Sequence, residues 1–410
     1  MKYAIVNLGC KVNRVESDSF SAALSARGCI EAPESDAELI VVNTCTVTGE
    51  AEKKTRKAVR HALRASEKAT VVVTGCAAAI DAEVFTQMSD RIRVMGKAAL
   101  ASAIDAGAFG DAEVAHGKAL PVGEGFRTRV GVKVQDGCNN ACTYCIVHVA
   151  RGRAASVDAD KVVATCKDLA AAGVGEIVLT GINLGSYCWG DRRSKDAVHL
   201  ADLLRRLLAE TEQPMCGRAR PTRFRISSIE PRDVDEMLID VLATSTGRVC
   251  RHLHLPLQAG STKVLREMHR PYTAEHFAAL VEKLYERVPE LSLSTDIICG
   301  FPGETEDEFA ETLALARACR FSKIHVFPYS LRTGTPAAAR ADQVPPEVKA
   351  ERAVRLRSLA DELRAAEFAR RAGTRELAVV EGENVALTES YFEVPAPAGA
   401  CVGDVVEVVL

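Results

Sequence analysis

The sequence predicts an α/β protein with three parts: an N-terminal open parallel α/β domain, a central incomplete (β/α)6 barrel and a small C-terminal β-domain. Two patterns lead to this prediction. Short apolar runs alternate with segments of helical periodicity through most of the chain, which is typical of parallel sheets covered by helices. After Gly373 the helical segments stop, and apolar runs follow one another across glycine-bearing turns. The predicted boundaries are residues 1–110, 126–345 and 374–410.

The N-terminal domain is predicted from four apolar runs that read as strands, at residues 3–8, 39–43, 71–74 and 92–95. Helical segments at 15–27 and 50–65 separate the first three runs, and Gly28 is a typical residue to end the first helix. The stretch 107–125 is rich in Gly and Ala, and we interpret it as a linker.

The barrel is predicted from six further apolar runs, at 130–135, 176–180, 223–228, 252–257, 291–299 and 324–329. Helical segments lie between them, at 160–172, 199–210, 273–288 and 306–318. Six such repeats favour an open barrel whose site lies at the carboxyl ends of its strands. A helix at 347–372, apolar on one face and rich in Arg on the other, precedes predicted strands at 376–380, 391–394 and 405–410.

Composition is that of an ordinary globular protein, with 47% hydrophobic and 26% charged residues among 410. The start, MKYAIVNLGC, reads as a strand and not as a signal peptide, and no apolar run approaches the roughly 20 residues that span a bilayer. We therefore expect a cytoplasmic protein with no membrane partner. In that compartment the fourteen cysteines are better interpreted as metal ligands and buried thiols than as disulfides.

The net charge of −3 gives no global sign of a nucleic-acid partner, so such a site must be a local patch. Two basic clusters are candidates, and a solvated surface is the simpler interpretation of each. The first comprises Lys53, Lys54, Arg56, Lys57, Arg60 and Arg64; the second comprises Arg218, Arg220, Arg223 and Arg225.

Three cysteines, Cys138, Cys142 and Cys145, follow the first predicted barrel strand in the pattern C-x3-C-x2-C. Structural zinc sites use four protein ligands, whereas a [4Fe–4S] cluster takes one thiolate per iron. Three thiolates would therefore leave one iron open for a ligand from outside the protein. A zinc site completed by His148 is the alternative.

Cys10, Cys45 and Cys76 each closely follow a predicted strand of the N-terminal domain. The carboxyl ends of parallel strands share one edge of a sheet, so these three thiols can converge. The alternative is that they are small buried hydrophobes. We interpret the remaining cysteines as structural thiols: Cys29, Cys166, Cys188, Cys216, Cys250, Cys299, Cys319 and Cys401.

The loop QDGCNNACTYCIV, with Tyr144 before its last cysteine, resembles the cluster loop of radical S-adenosylmethionine (SAM) enzymes. Together with LGCKVN, VVNTCTVT, TGC, ARGR, LTGINLGSY, SSIEP, HLHLPLQAGS and DIICGFPGETEDEF, in that order along the chain, it resembles the methylthiotransferases. Within this family, the chain resembles the branch that modifies N6-threonylcarbamoyladenosine beside the tRNA anticodon. The motifs that carry this resemblance are LGCKVN, QDGC and RHLHLPLQ.

The resemblance implies two [4Fe–4S] clusters and SAM as cofactors, with tRNA and a reducing electron donor as partners. The cluster on Cys10, Cys45 and Cys76 would carry the sulfur, which one SAM methylates. A radical formed from SAM at the cluster on Cys138, Cys142 and Cys145 would take hydrogen from C2 of the adenine. No side chain is then expected to be catalytic, because radical chemistry belongs to the cofactors.

The resemblance also implies SAM contacts. Tyr144 would lie near the adenine of SAM, Gly181 and Asn183 near its amino-acid end, and Ser228 and Glu230 near its ribose. Gln258, Ser261 and Asp296 would complete the ring. For each of these residues, capping a helix or a turn is the simpler alternative.

Three features depart from the family pattern. His148 stands where Pro is common, Ala154 and Ala155 stand where an acidic residue is usual, and the C-terminal β-domain resembles a shortened TRAM domain through LTESYFEV and GDVVEVVL. We expect that β-domain, the 347–372 helix and the first basic cluster to share the RNA contacts. The alternatives are another acceptor, either isopentenyladenosine in tRNA or a ribosomal-protein aspartate, and a non-catalytic metal protein.

Overall fold

The structure is a computed structural model that describes residues 1–46, 48–109, 120–123, 125–214 and 218–410. It divides into two compact units. The first comprises Met1–Phe126 with Cys145–Arg153, and the second comprises Arg127–Tyr144 with Ala154–Leu410. The predicted linker at 107–125 falls partly outside the described residues, and the predicted structural thiol Cys216 falls wholly outside them.

The N-terminal unit is an open, all-parallel sheet in the order β2-β1-β3-β4-β5. Its elements are β1 Lys2–Asn7, α1 Lys11–Ala26, β2 Ile30–Glu31, β3 Leu39–Thr44, α2 Gly49–Ala65, β4 Thr70–Gly75, α3 Cys76–Ile80, α4 Ala82–Thr86, β5 Ile92–Val94 and α5 Lys97–Asp105. The four predicted strands are confirmed. The short edge strand β2 was not predicted, because two exposed residues leave no apolar run.

Helix α2 shows why this segment folds as a helix. The Thr48 side chain accepts a hydrogen bond from the Ala51 backbone N–H at its start. Glu50 lies in the first turn and Arg64 in the last, so both complement the helix dipole. Its buried residues, Thr55, Val59 and Ala62, follow the spacing of one helical face and pack against the sheet.

Six parallel strands form the barrel. From residue 129 to 328 the elements are β6 Arg129–Lys133, β7 Gln135–Asp136, α6 Val147–Arg151, β8 Ala155–Ser156, α7 Ala159–Ala171, β9 Glu176–Thr180, β10 Cys188–Trp189, β11 Val198–His199, α8 Leu200–Glu210, β12 Arg223–Ile226, α9 Glu236–Thr244, β13 His252–His254, α10 Thr262–Glu267, α11 Ala274–Arg287, β14 Ser292–Cys299, α12 Glu306–Ala318 and β15 Lys323–Pro328. Strands β6, β9 and β12 form one three-stranded sheet, and β13, β14 and β15 form another.

Two parallel bridges, Phe224 with Val249 and Ser228 with His254, join these sheets. The strand order is therefore β6-β9-β12-β13-β14-β15. Among the described strands β6 and β15 do not pair, which confirms the predicted incomplete barrel.

The C-terminal segment consists of a long helix, α13 Pro346–Arg370, and a four-stranded antiparallel sheet in the order β18-β17-β16-β19. Its strands are β16 Arg375–Gly382, β17 Val385–Thr388, β18 Glu393–Pro395 and β19 Val405–Val409. Strand β17 was not predicted. Arginines of α13 and of its C-cap form ion pairs within the unit: Arg352 binds Glu304, Arg355 binds Glu306, and the C-cap residue Arg371 binds Glu367 and Glu376.

A buried ion network at the start of β9 and β12 corrects the prediction for the second basic cluster. Glu176 is 0% exposed, and its carboxylate accepts hydrogen bonds from Arg223 Nε at 2.8 Å and Arg225 Nε at 2.6 Å. Arg223 and Arg225 therefore belong neither to a nucleic-acid patch nor to a solvated surface, and both interpretations are wrong for these two residues. Burial opposes ionisation of Glu176, yet the Arg225 and Arg223 guanidiniums hold its pKa well below the ordinary range.

The described cysteines are all free thiols. Five of the predicted structural thiols are buried, Cys188 is half-buried and Cys401 is exposed. Within the described ranges, no helix combines the length and apolarity needed to cross a bilayer.

Candidate functional site

The N-terminal cysteines lie at one edge of the first sheet. Cys10 and Cys45 follow β1 and β3, and Cys76 is the first residue of α3, directly after β4. Strands β1, β3 and β4 are neighbours, and their ends are level because Asn7 pairs with Asn43 and Thr44 with Gly75. The fold therefore places the three thiols at adjacent strand ends, as the sequence predicted. Their role as cluster ligands stays a prediction.

Gly9 allows the first two of these loops to touch. Its φ is +97°, and a Cβ added there would stand 2.5 Å from Cys45 Cβ and 2.6 Å from Cys45 Sγ. Any larger residue would push the Cys10 loop away from Cys45. The donor set, three thiols on adjoining loops with glycine-permitted contact, fits a metal–sulfur cluster.

The hydrogen bonds behind this edge were not predicted from the sequence. Asn13, which is fully buried, donates from Nδ2 to the Leu8 carbonyl at 2.8 Å and the Thr44 carbonyl at 2.9 Å. Arg151 donates from Nη2 to Asn13 Oδ1 at 2.6 Å and from Nε to Cys76 Sγ at 3.3 Å. Only the motif letters LGCKVN and ARGR, quoted for their resemblance, pointed to these residues.

The second cysteine loop is closed at its base by an antiparallel pair, β7 with β8. The sulfur of each of its cysteines accepts a hydrogen bond within that cysteine's own unit. Cys138 Sγ accepts from the Asn140 backbone N–H at 3.3 Å, Cys142 Sγ from Arg270 Nη1 at 3.1 Å, and Cys145 Sγ from the Val147 backbone N–H at 3.4 Å. Hydrogen bonds to sulfur are a feature of cluster thiolates.

In the absence of metal, burial raises the pKa of the Cys138 thiol. One group of three residues in the described part of the chain has its potential metal-ligand atoms within 4.8 Å of one another. It consists of His254, Asp296 and His325. None of the six predicted cysteine ligands belongs to that group, and neither does His148.

Arg270 is a further residue that the sequence analysis missed. It is buried beside Cys142, forms an ion pair with Glu230, and donates from Nε to the Tyr272 hydroxyl at 3.1 Å. Burial raises the pKa of Tyr272, and its hydroxyl donates to the Pro256 carbonyl at 2.7 Å. Glu230, predicted as a ribose contact, thus holds the guanidinium that points at a cysteine sulfur.

The turn after β9 offers an open acceptor. Asn183 is 4% exposed, and its side-chain Oδ1 has no hydrogen-bond partner among the described residues. Its backbone N–H donates to Gln135 Oε1 at 2.9 Å, and a Cβ on Gly181 would stand 2.9 Å from that same oxygen. A buried acceptor without a donor is costly, so this position fits a ligand that brings an N–H group.

Ser228 lies beyond the end of β12, Gln258 and Ser261 lie beyond the end of β13, and Asp296 lies within β14 and not at its end. Gln258 has a φ of 68°, and its backbone N–H donates to the Asp296 carbonyl at 2.9 Å. Ser261 precedes α10 without capping it by a side-chain hydrogen bond, and Ser228 bridges to His254. Tyr144 is half-buried. Their contacts with SAM stay predictions.

Asp296 has protein partners that the sequence analysis did not foresee. Its carboxylate lies 3.3 Å from His254 Nε2, and it pairs in register with His325 on β15. The His254 Nδ1 atom lies 2.9 Å from Ser294 Oγ. These side chains belong to three adjacent strands, which a reading of single motifs does not bring together.

Comparison with known proteins gives matches along nearly the whole chain. Residues 132–316 match the radical SAM superfamily, and residues 2–96 match the uncharacterized protein family UPF0004. A threonylcarbamoyladenosine tRNA methylthiotransferase of Bacillus subtilis (strain 168) is 38% identical, covering 95% of this chain and 89% of the relative. A tRNA-2-methylthio-N(6)-dimethylallyladenosine synthase of Carboxydothermus hydrogenoformans is 35% identical, covering 85% of this chain and 81% of the relative.

Among solved structures, the fold is similar to that of the radical SAM methyltransferase TsrM from Kitasatospora setae. The TM-score is 0.58 at 17% identity, over 82% of this chain and 77% of that one. At that identity the likeness concerns the fold alone.

Proposed function

Because the chain belongs to the radical SAM methylthiotransferases, in the threonylcarbamoyladenosine branch, we propose that it inserts a methylthio group at C2 of N6-threonylcarbamoyladenosine next to the tRNA anticodon. Similarity to the Bacillus subtilis relative over 89% of that protein supports the family and the branch. The resemblance drawn from the motifs is thereby confirmed. The enzyme is a transferase, and we place it in the cytoplasm with its tRNA.

The observation that carries the proposal is the trio of thiols at adjacent strand ends. A radical SAM domain alone supports many reactions, whereas sulfur insertion needs a sulfur source beside it. Cys10, Cys45 and Cys76 supply three ligands for a second cluster at the ends of β1, β3 and β4.

Cys138, Cys142 and Cys145 would hold one [4Fe–4S] cluster and the N-terminal trio the other. When bound, the first supplies the electron that cleaves SAM, and the second supplies the sulfur. The C2–H bond of adenine is not acidic, so no side-chain base could activate it. The protein's own residues would bind and orient the cofactors: Asn183 Oδ1, which has no partner among the described residues, would accept from the SAM ammonium group, and Arg270 donates to Cys142 Sγ.

Mass spectrometry of tRNA nucleosides tests the acceptor. The reconstituted enzyme, with SAM and a reductant as electron donor, is incubated with tRNA carrying either threonylcarbamoyladenosine or isopentenyladenosine. We expect the 2-methylthio product from the first tRNA only. Product from the second tRNA alone would instead assign the chain the alternative activity on isopentenyladenosine. The similarity to the Carboxydothermus relative is the reason to test that tRNA.

Helix α2 presents the surface best suited to the tRNA backbone. Lys53, Lys57, Arg60 and Arg64 are exposed at helical spacing, on the side opposite the buried Thr55, Val59 and Ala62. Among the described residues none of these four forms an ion pair with a carboxylate. Lys54 and Arg56 differ, because each is paired within the helix, with Glu50 at 2.7 Å and Glu52 at 3.0 Å.

Replacing the four exposed residues with alanine should weaken tRNA binding and flatten its dependence on salt. Each lost phosphate contact should reduce the slope of log K against log salt by roughly 0.7–0.9. Cleavage of SAM without tRNA should not change. The matched control replaces Lys54 and Arg56, whose charges are already neutralised by carboxylates. Equal tRNA affinity in the two variants at low salt would assign α2 to an ordinary solvated surface.

A further inference from the structure

We infer that Asn13 and Arg151 are positioning residues for the N-terminal cysteine trio: they tie its three loops together and hold a positive charge against Cys76. The inference rests on the proposed function, because it takes Cys10, Cys45 and Cys76 as ligands of a cluster. Both residues lie in the N-terminal unit, which includes the segment Cys145–Arg153.

Asn13 joins two of the three loops by its amide group. Its Nδ2 donates to the carbonyl of Leu8, two residues before Cys10, and to the carbonyl of Thr44, the residue before Cys45. Both hydrogen bonds are shorter than 3.0 Å and both end on backbone atoms. One side chain therefore links these two loops, in addition to the backbone pairing of β1 with β3.

Arg151 extends the connection to the third loop. Its Nη2 donates to Asn13 Oδ1 at 2.6 Å, while its Nε donates to Cys76 Sγ at 3.3 Å. Its Nη1 donates to Glu16 Oε1 at 3.1 Å. One guanidinium thus meets an amide, a carboxylate and a sulfur in three directions, which suits the planar, five-donor fork of Arg and not the point charge of Lys.

The ion pair at the centre of this network is buried. The side chains of Arg151 and Glu16 are 3% and 6% exposed, and Lys97 also pairs with Glu16. The Arg151 guanidinium that donates to Cys76 is therefore buried, and its charge is weakly screened. Thiolates bound to a cluster are electron-rich. A nearby cation and an N–H to sulfur both stabilise the reduced cluster and so raise its reduction potential.

The position of Arg151 in the chain links the N-terminal cysteine trio to the segment that follows Cys145. It is the last residue of α6, only six residues after Cys145, and α6 contacts α3, the helix that begins with Cys76. The loop that carries one set of cysteines therefore supplies a ligand-orienting group to the other set. Retention of the N-terminal cluster should therefore depend on Arg151.

The test uses the full chain with Cys138, Cys142 and Cys145 replaced by alanine, so that any cluster present is the N-terminal one. Arg151→Gln, Arg151→Lys and Asn13→Ala are each added to this background. Arg153→Gln is the matched control, because it removes an exposed arginine two residues away. Two quantities are measured: the rate at which a chelator removes iron, and the midpoint potential of the cluster.

Arg151→Gln should weaken cluster retention about 10–100-fold, the usual effect of losing a group that orients a metal ligand. Its midpoint potential should fall, because an N–H to sulfur and a charge are both removed. Asn13→Ala should weaken retention with a smaller change in potential. Arg151→Lys keeps a cation beside Glu16 and should therefore preserve the fold. We expect this variant to keep a midpoint potential near that of the parent protein while its cluster retention falls.

Retention and potential equal to those of Arg153→Gln would overturn the inference while leaving the cluster assignment in place. A parent protein that binds no iron, with Arg151 intact, would overturn the cluster assignment and the inference with it. Circular dichroism of each variant separates loss of the cluster from loss of the fold.

Discussion

Replacing Cys138, Cys142 and Cys145 together with alanine should abolish the reductive cleavage of SAM and halve the iron bound per chain, from about eight to about four. The reason is that these three cysteines, in the part of the chain that matches the radical SAM superfamily, would hold the cluster that supplies the electron for SAM cleavage. The measurements are iron content after anaerobic reconstitution and the release of 5′-deoxyadenosine. Because the N-terminal trio lies in a separate sheet, the remaining iron should stay bound.

The reciprocal variant, with Cys10, Cys45 and Cys76 replaced, should also lose half the iron but keep cleaving SAM. Only the methylthio product should disappear. Cys188, Cys319 and Cys401 give the control triple, because they lie outside both trios; their replacement should leave the iron content unchanged. Full iron content in the Cys10, Cys45 and Cys76 variant would show that this trio binds no cluster.

The second large effect concerns stability. Glu176→Gln leaves the Arg223 and Arg225 guanidiniums buried without a counter-charge, and breaking a buried ion pair in this way costs about 3–5 kcal/mol. The free energy of unfolding can be followed by urea titration with the fluorescence of Trp189, the single tryptophan. Glu210→Gln removes an exposed partner of Lys167 and is the control, with little change expected.

The effect of Glu176→Gln should depend on pH. The folded pKa of Glu176 lies below the ordinary value of 4.5, so its contribution is complete above that value and is lost as the pH falls through the folded pKa. The gap between wild type and variant should therefore be constant near neutrality and shrink at strongly acidic pH. A gap that widens on acidification would contradict the assigned ion pair.

The strands and the six cysteines could be predicted because both depend on short-range patterns. An apolar run followed within a few residues by Cys is visible in the sequence, and parallel strands place such residues at one edge. Strand β17 was missed because its four residues, VALT, are too short to stand out beside the run that precedes them.

The partners of buried charges could not be predicted from the sequence. Arg225 and Glu176 are 49 residues apart, and Arg151 and Cys76 are 75 residues apart. The presence of a basic residue in a predicted strand does not show whether a carboxylate lies beside it on the neighbouring strand. The same holds for Arg270, whose contact with Cys142 spans 128 residues. Cluster ligands were thus visible from local patterns, whereas the groups that orient them depend on tertiary contacts.

The ion network of Glu176 also bears on how the C-terminal sheet can be studied. Arg225 Nη1 donates to the Glu389 carbonyl at 2.6 Å, Arg251 pairs with the Glu389 carboxylate at 2.8 Å, and Arg129 reaches Glu381 at 2.7 Å. In a chain truncated after Gly373, the base of the barrel would be exposed to water and these arginines would lose their acceptors in the C-terminal sheet. Deletion of the sheet would then unfold or aggregate the barrel, so a loss of tRNA binding in such a deletion would say nothing about RNA. Point substitutions on the outer surface of the sheet are the informative way to ask whether it touches RNA.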